Sequence, residues 1–390
     1  MKSVYIEDGM CTVYKLILHK VQRTLNDLGY RNADSPEEAD LCLVGLCASF
    51  EADEDRSVEI LKRVYESGTP VYAYGCMVTV NPGRILSAPM FPSWDIGGLL
   101  RAITGDQNLG WDWRDIPTTF RTDADYRVND PTKKFIAIST GCNFRCSYCP
   151  HRIGTGPLVS VPEDEVLDQI HRLNDGETKV IVLTGTDTAC YGQDRGTSFA
   201  PLLDAILRII NPGVNLHVAQ FNPEGLFRDA AYTDDLFALF SHPQVKDIQL
   251  PIQTTSPRLL ALMNRHYSPD ALADFLTRLR LNRGDGDPFL RTDLMVGFPT
   301  ETMTEFIDTI WYAIRQFSEV ALYAFEMKPG TPVHTMGLTP VDPEEIGARK
   351  RYARVVTKNL GLLVHSGGQE SNSLLENDKI KALRRQGDAE

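Results

Sequence analysis

Hydrophobic positions in residues 1–105 form short apolar stretches that alternate with segments of helical periodicity. The stretches at Leu41–Leu46 and Val71–Tyr74 are typical of buried parallel strands, and Val4–Glu7 is a third strand candidate. Helical periodicity covers Val13–Leu28 and Asp53–Glu66, and a glycine follows each segment closely, as at many helix C-termini. This order of strands and helices predicts a parallel sheet with right-handed crossovers.

A second and longer series of strands and helices begins near Lys134, after a stretch that holds Gly, Pro, Asp and Thr. Its strand candidates are Phe135–Ser139, Val180–Thr184, Leu216–Gln220, Asp247–Pro251, Leu290–Val296 and Ala321–Glu326. Its helix candidates are Pro162–Leu173, Ser198–Ile210, Asp234–Phe240, Pro257–Met263, Pro269–Leu281, Thr302–Phe317 and Pro343–Leu360. Six strands alternating with helices predict a partial (β/α)6 barrel or a related open sheet, with the active site at the carboxyl ends of the strands.

The chain therefore divides into four predicted parts of an α/β protein. We expect an N-terminal parallel β/α domain in residues 1–105, a linker in 106–131 and the barrel domain in 132–365. Residues 366–390 are polar and are expected to form a mobile tail with at most one helix, at Leu374–Arg385.

Composition and charge limit the function classes only loosely. The 390-residue chain has 40 basic and 52 acidic side chains and a net charge of −12, which argues weakly against a large nucleic-acid surface. No apolar stretch is long enough to span a membrane, and the first residues do not have the pattern of a secretory signal. We therefore expect a cytoplasmic location without a membrane partner.

The eight cysteines change the picture, because clustered cysteines in a reducing compartment more often bind metal or do redox chemistry than form disulfides. Cys11, Cys47 and Cys76 each follow one of the three N-terminal strands. The carboxyl ends of parallel strands lie at one edge of a sheet, so the fold should bring these three together. Cys42 stands inside a strand and is expected to be a small buried residue.

A second group of cysteines lies in the CxxxCxxC segment Gly141–Pro150, directly after the first barrel strand. Three thiolates in one tight loop can hold three irons of a [4Fe–4S] cluster and leave the fourth iron open. The alternative is a structural zinc site, with His151 as a fourth ligand after Cys142, Cys146 and Cys149.

The CxxxCxxC loop resembles that of radical S-adenosylmethionine (SAM) enzymes, in sequence and in its place after the first barrel strand. The resemblance implies that Cys142, Cys146 and Cys149 hold a [4Fe–4S] cluster whose open iron binds SAM. In that superfamily the reduced cluster cleaves SAM to a 5′-deoxyadenosyl radical. It also implies that Tyr148, before the third cysteine, packs near the adenine.

The whole chain resembles a narrower family, the radical SAM methylthiotransferases. The resemblance rests on the segments around Cys11, Cys47 and Cys76, and on Leu183–Asp194, Leu250–Ser256, Arg265–Tyr267, Thr292–Thr302 and Pro329–Pro332. It implies a flavodoxin-like N-terminal domain in which the three cysteines hold an auxiliary [4Fe–4S] cluster, followed by a radical SAM barrel. The implied reaction uses two SAM molecules: one methylates a sulfur on the auxiliary cluster, and the other generates the radical that activates a substrate C–H.

Further residues are candidates for SAM binding. The loop Thr184, Gly185 and Thr186 offers backbone groups near the cluster edge, and Gln253 can hydrogen-bond ribose or the methionine part. Arg265 is a candidate for the SAM carboxylate. Asp293 is a candidate to bind SAM or substrate, or to orient Arg265. We expect Cys190 to be an ordinary loop residue, although it could ligate a cluster.

The substrate is less well defined by the sequence. Most methylthiotransferases end in a small β-barrel, TRAM, and about 25 residues after Ser366 are too few for one, so we expect it to be missing. This favours a peptide, protein or small-molecule substrate over tRNA, with tRNA adenosine methylthiotransferase as the alternative. A radical SAM enzyme without sulfur insertion and a non-enzymatic metal-binding module remain further alternatives. A flavodoxin- or ferredoxin-like electron donor is implied as a partner.

Overall fold

The computed structural model describes residues 2–85, 88–111, 130–283, 288–360 and 364–366. The tail helix predicted at Leu374–Arg385 and most of the predicted linker lie outside the described residues. Within the described part of the chain, no helix is long and apolar enough to cross a membrane.

Strands and helices alternate along the chain much as the hydrophobic pattern predicts. The strands are β1 (Ser3–Asp8), β2 (Arg31–Asn32), β3 (Leu41–Leu46), β4 (Val71–Gly75), β5 (Met90–Pro92), β6 (Lys133–Thr140), β7 (Val159–Ser160), β8 (Val180–Gly185), β9 (Asn215–Val218), β10 (Val245–Gln249), β11 (Phe289–Val296), β12 (Glu319–Ala324) and β13 (Val364–Ser366). The helices are α1 (Thr12–Asp27), α2 (Glu51–Glu66), α3 (Met77–Val80), α4 (Ile96–Thr104), α5 (His151–Thr155), α6 (Glu163–Leu173), α7 (Phe199–Ile209), α8 (Ala230–Phe240), α9 (Pro257–Leu262), α10 (Pro269–Arg283), α11 (Met303–Gln316) and α12 (Pro343–Leu360).

The N-terminal sheet has the strand order β2-β1-β3-β4-β5, and its pairs are parallel. This is the flavodoxin-like order 2-1-3-4-5, which the fold prediction named. Its centre is β3, which is buried throughout because it is covered on both faces. The loops after β1, β3 and β4 therefore lie at one edge of the sheet.

The second sheet is an open partial barrel. Its order is β13-β12-β11-β10-β9-β8-β6-β7, so the six predicted barrel strands are parallel neighbours in chain order. The short β7 adds to β6 in the antiparallel direction at one edge, and β13 adds to β12 at the other. The predicted α/β class and the partial (β/α)6 barrel are confirmed.

One hydrophobic core joins the two sheets. Leu16, Ile17 and Leu18 on α1 are consecutive and have no exposed surface, so this part of the helix is covered on several sides. They belong to the same core as Ile136 and Ile138 of β6. The two predicted domains are thus packed on each other through α1.

Polar and aromatic contacts also cross the boundary between the two sheets. Lys328 Nζ, after β12, lies 2.8 Å from Glu54 Oε1 on α2, and both side chains are almost completely buried. The ring of Phe50 stacks on Tyr323 with centroids 5.2 Å apart. The loop after β3 is therefore held against the loop after β12.

Candidate functional site

Cys142, Cys146 and Cys149, hereafter the loop triad, lie in a loop that the barrel holds at several points. The loop begins at Gly141, whose φ is +71°, and a Cβ there would stand 2.0 Å from the carbonyl oxygen of Pro157. Its N–H donates to Thr186 Oγ1 at 3.0 Å, after β8. Further along, Ser147 N–H donates to the carbonyl of Met263 at 2.9 Å, at the end of α9. Backbone contacts therefore fix the loop before any ligand binds.

The three thiols of the loop triad share a partly enclosed environment. Burial raises the pKa of Cys146 to about 11 and also raises that of Cys149. The positive charge of Arg265 lowers both pKa values and so favours the thiolate forms. Thiolates are the form that binds iron, so Arg265 supports the loop triad as a set of ligands.

A fourth thiol stands beside the loop triad, where the sequence predicted an ordinary loop residue. Cys190 Sγ lies 3.9 Å from Cys142 Sγ, and Asp187 Oδ2 lies 3.9 Å from the same sulfur. The three ligand atoms lie within 4.8 Å of one another. Burial raises the pKa of Asp187 to about 7. Its carboxylate accepts hydrogen bonds from the N–H groups of Asn222 and Ala189, and these bonds act in the opposite direction and lower the pKa. One feature of the sequence could have indicated this placement: Cys190 follows a strand whose carboxyl end lies at the site.

Cys11, Cys47 and Cys76, hereafter the strand-end triad, meet as the parallel topology predicts. Cys11 precedes α1, Cys47 follows β3 and Cys76 follows β4. A hydrogen bond from Cys76 lowers the pKa of Cys47 to about 7. Burial, and then the charge of Cys47, raise the pKa of Cys11 to about 12. Cys42 is fully buried within β3, as expected.

The segment after Cys149 packs directly on the strand-end triad. A Cβ at Gly154 would lie 2.6 Å from the Cβ of Cys76, so only a glycine fits without displacement. Ser93 Oγ donates to the carbonyl of Gly154 at 2.7 Å, and Thr79 Oγ1 donates to that of Ile153 at 3.0 Å. Helix α5 is thus held between the two triads.

Two side chains form a polar link from one triad to the other. Cys47 Sγ lies 3.3 Å from Ser49 Oγ, and Ser49 Oγ lies 3.2 Å from His151 Nε2. The other ring nitrogen, Nδ1, lies 3.5 Å from Cys149 Sγ. His151 therefore stands between the two triads rather than at the far end of the loop triad.

The predicted SAM-binding residues line the carboxyl ends of the barrel strands. Thr184 and Gly185 end β8, and a Cβ at Gly185 would lie 2.8 Å from Ser139 Oγ of β6. The hydroxyl of Thr186 accepts from Gly141, so it shapes the loop triad. Gln253 has a φ of +67° and its N–H donates to the carbonyl of Asp293 at 2.9 Å.

Arg265 is a buried cation beside the loop triad. Its Nη2 donates to Asn222 Oδ1 at 2.8 Å and to the carbonyl of Pro251 at 2.7 Å, while Nη1 donates to Tyr148 OH at 3.3 Å. Its Nε is buried and has no hydrogen-bond partner among the described residues. Asp293 Oδ2 accepts from Gln249 Nε2 at 2.9 Å. Arg265 therefore keeps a free donor for an anionic ligand.

The two triads and Arg265 can hold the groups that the motifs imply, which are two [4Fe–4S] clusters and SAM. Each triad offers three thiols, which leaves one iron of a four-iron cluster without a protein ligand. The Nε of Arg265 is buried beside the loop triad without a hydrogen-bond partner among the described residues. A carboxylate ligand would accept a hydrogen bond from it.

Comparison with known proteins agrees with this arrangement. Residues 136–313 match the family model of the Radical SAM superfamily. In solved structures, the radical SAM methyltransferase TsrM from Kitasatospora setae superimposes with a TM-score of 0.59 at 14% identity, covering 85% of this chain and 75% of that one. The cobalamin-dependent radical enzyme OxsB gives a TM-score of 0.57 at 9% identity, covering 100% and 61%. These two likenesses show the fold.

Sequence relatives define the group more narrowly. The threonylcarbamoyladenosine tRNA methylthiotransferase of Xenopus laevis is 26% identical over 360 residues, 87% of this chain and 60% of that protein. The tRNA-2-methylthio-N(6)-dimethylallyladenosine synthase of Thermus thermophilus is 28% identical over 343 residues, 83% and 70%. The chain thus spans about 60% of the length of the Xenopus relative.

The chain contains a radical SAM domain. Over most of its length it is similar in sequence to methylthiotransferases, so the resemblance indicated by its motifs is confirmed.

Proposed function

We propose that this protein is a radical SAM methylthiotransferase that holds two [4Fe–4S] clusters and uses SAM. One observation carries the proposal: two triads of thiols, one from each sheet, lie on either side of α5. The contact of Gly154 with Cys76 and the polar link through His151 bring the two sites together. A purely electron-transferring protein needs no second triad with an open ligand position.

The loop triad is proposed to hold the cluster that cleaves SAM. Cys142, Cys146 and Cys149 each ligate one iron, and Arg265 binds the SAM carboxylate through its free Nε. When bound and reduced, this cluster supplies the electron that cleaves SAM, and the auxiliary cluster supplies the sulfur. Tyr148 is held by Arg265 at the same edge, where it can pack against the adenine.

The other candidate residues for SAM binding are assigned their proposed roles from their positions in the structure. Gly185 lets the backbone approach β6 closely, so groups at Thr184 can face the cluster edge. Gln253 and Asp293 are paired through the backbone at the ends of adjacent segments and can contact ribose or the methionine part together. Thr186 contributes by positioning Gly141.

The strand-end triad is proposed to hold the auxiliary cluster. Cys11, Cys47 and Cys76 leave one position open, where a sulfur to be transferred can bind. Because α5 packs against both triads, they lie close together, and a substrate carbon bound beside α5 at their common edge can meet both the radical and the sulfur. The task of the protein is to hold these groups in place and exclude water.

The proposed substrate is an N6-modified adenosine in tRNA. The relatives above are named for tRNA substrates, which favours the tRNA alternative over the peptide or small-molecule substrate that the sequence suggested. Arg145 within the CxxxCxxC loop and Arg152 just after it are exposed and offer positive charge for phosphates despite the acidic total. A flavodoxin- or ferredoxin-like electron donor and a cytoplasmic location belong to the same proposal.

The test is methylthio transfer to RNA by the purified protein. The protein is reconstituted anaerobically with iron and sulfide, then incubated with SAM, a reductant and bulk tRNA from a host strain that lacks the gene. Nucleoside mass spectrometry should show a new methylthiolated adenosine. The control is Cys47→Ala, which should still cleave SAM but leave the adenosine unchanged.

Two results would contradict parts of the proposal. SAM cleavage with no methylthio nucleoside, from protein that contains both clusters, would remove tRNA as the substrate. Normal methylthio transfer by Cys47→Ala would remove the strand-end triad from the reaction.

A further inference from the structure

We propose that Ser49 and His151 form a hydrogen-bonded link between the ligands of the two clusters, and that this link couples the electronic properties of one cluster to those of the other. The inference rests on the proposed function, since it takes both triads to be cluster ligands. It assigns positioning roles to two residues that touch sulfur rather than substrate.

The geometry of the link is continuous from one triad to the other. Three contacts of 3.3, 3.2 and 3.5 Å connect Cys47 Sγ, Ser49 Oγ, the imidazole of His151 and Cys149 Sγ. The imidazole uses a different ring nitrogen for each end. With both sulfurs as thiolates, the serine hydroxyl and a neutral imidazole supply two hydrogens for these three contacts, so the link donates to Cys47 through Ser49 or to Cys149 through Nδ1, and not to both at once. A side chain with only one polar atom could not reach both partners in this way.

The surroundings hold the link in place. Ser57 Oγ accepts from Cys47 N–H at 3.0 Å, and its own hydroxyl donates to the carbonyl of Cys47 at 3.2 Å. His151 begins α5, which Thr79 and Ser93 hold through backbone carbonyls. Both ends of the link are therefore fixed, so loss of one partner is not easily compensated by movement of the other.

The chemistry of cluster ligands explains what such a link does. A hydrogen bond to a ligand sulfur stabilises the more negative, reduced cluster and raises its reduction potential. A shared chain of hydrogen bonds also responds as a unit, because each bond polarises the next. Because the link donates to one ligand sulfur at a time, removing one member should lower the potential of its own cluster and leave the remaining donor to the cluster at the opposite end.

The experiment measures the reduction potential of each cluster in the reconstituted full-length protein, by redox titration followed with electron paramagnetic resonance. His151→Phe removes both ring nitrogens, and Ser49→Ala removes only the middle hydroxyl. We expect Ser49→Ala to lower the potential of the strand-end cluster and to raise that of the loop-triad cluster, because Nδ1 of His151 is then free to donate to Cys149. His151→Phe should do the reverse, because the hydroxyl of Ser49 is then free to donate to Cys47. The double variant should lower both potentials.

Three further proteins separate the link from simple packing. His151→Asn keeps an amide near the Nδ1 position but does not reach Ser49, so it should restore the potential of the loop-triad cluster only. Thr79→Val removes a hydroxyl that joins α3 to α5 without touching sulfur, so it should shift neither potential. Iron and sulfide content, measured in every variant, reports whether both clusters are present.

The outcomes are distinct. Shifts confined to the nearer cluster, or equal shifts in Thr79→Val, would overturn the link and leave the proposed function standing. If the unchanged protein binds about four irons rather than about eight, the two-cluster function itself fails, and the link fails with it. Cross-shifts in His151→Phe and Ser49→Ala with a silent Thr79→Val would establish it.

Discussion

The two triads solve the same chemical problem in different ways. The loop triad is built by one short loop, whose backbone is tied to β8 and α9. The strand-end triad is built by three loops that lie far apart in sequence and meet only because β1, β3 and β4 are parallel neighbours. One site depends on local sequence, the other on the correct assembly of a sheet.

Because of this difference, substitutions should disrupt the two sites in different ways. Damage to the loop triad should remain local, because its loop is anchored on the barrel. Damage to the packing of the N-terminal sheet should disperse the strand-end triad, because no single loop holds two of its cysteines.

Single cysteine substitutions should separate the two sites completely. Cys142→Ala should remove about four of about eight irons and abolish SAM cleavage, while the auxiliary cluster stays spectroscopically intact. Cys47→Ala should remove the other irons and keep SAM cleavage. Iron content and methionine or 5′-deoxyadenosine release measure both. Loss of all iron in either variant would mean that the sites do not assemble independently.

Breaking the ion pair between the sheets should affect the strand-end triad more than the loop triad. Lys328→Met leaves Glu54 buried and without one of its cationic partners, which costs about 3 kcal/mol of unfolding free energy. Urea unfolding of the reconstituted protein should show this loss, with iron released first from the strand-end triad. That order is expected because α2, which carries Glu54, follows Cys47 directly.

The matched control for this prediction is a surface pair. Arg208→Met breaks the exposed i,i+4 pair with Asp204, and should change stability by less than about 0.5 kcal/mol. The double variant Glu54→Gln with Lys328→Met should lose less than the sum of the two single variants, because they share one interaction. Additive losses would show that the pair does not join the sheets.

Replacing the buried arginine should weaken SAM binding without loss of either cluster. Arg265→Lys keeps the charge but loses the Nε donor and the forked geometry, so SAM affinity should fall about 10- to 100-fold. Equilibrium dialysis of SAM against the loaded protein measures it. Arg283→Lys makes the same change at the amino ends of the strands, where Arg283 donates to the carbonyl of Val245, and should leave the affinity unchanged.

The fold was largely predictable because its hydrophobic pattern is regular. The continuous apolar stretch at Leu41–Leu46 gave the bounds of β3, and the placement of the strand-end cysteines followed from parallel topology. Helix α4 was not predicted, since Gly97 and Gly98 lower helix propensity by about 1 kcal/mol each. In the structure Gly98 is needed, because a Cβ there would lie 2.2 Å from the capping carboxylate of Asp95.

The site was predictable only where chemistry follows spacing or strand order. Both triads could be predicted in that way. The position of Cys190 beside Cys142, and of Ser49 and His151 between the triads, depends on how loops from two sheets pack on each other. No periodicity in the sequence predicts such contacts, because the contacting residues are far apart along the chain. They come together only when the complete fold has formed.

Acid should loosen the support of the loop triad, with the smallest effect of the four. Although burial opposes it, hydrogen bonds from Arg258, Ser256 and Thr302 lower the pKa of Glu305 from 4.5 to about 2. A lowered carboxyl pKa contributes stability above pH 4.5, and that contribution is lost as the pH falls from 4.5 towards 2. Because Ser256 caps α9, on which the CxxxCxxC loop rests, Glu305→Gln should cost about 1 kcal/mol at neutral pH and flatten stability across this window. Urea unfolding at several pH values on cluster-free protein measures it, and an unchanged slope would show that α9 is held by packing alone.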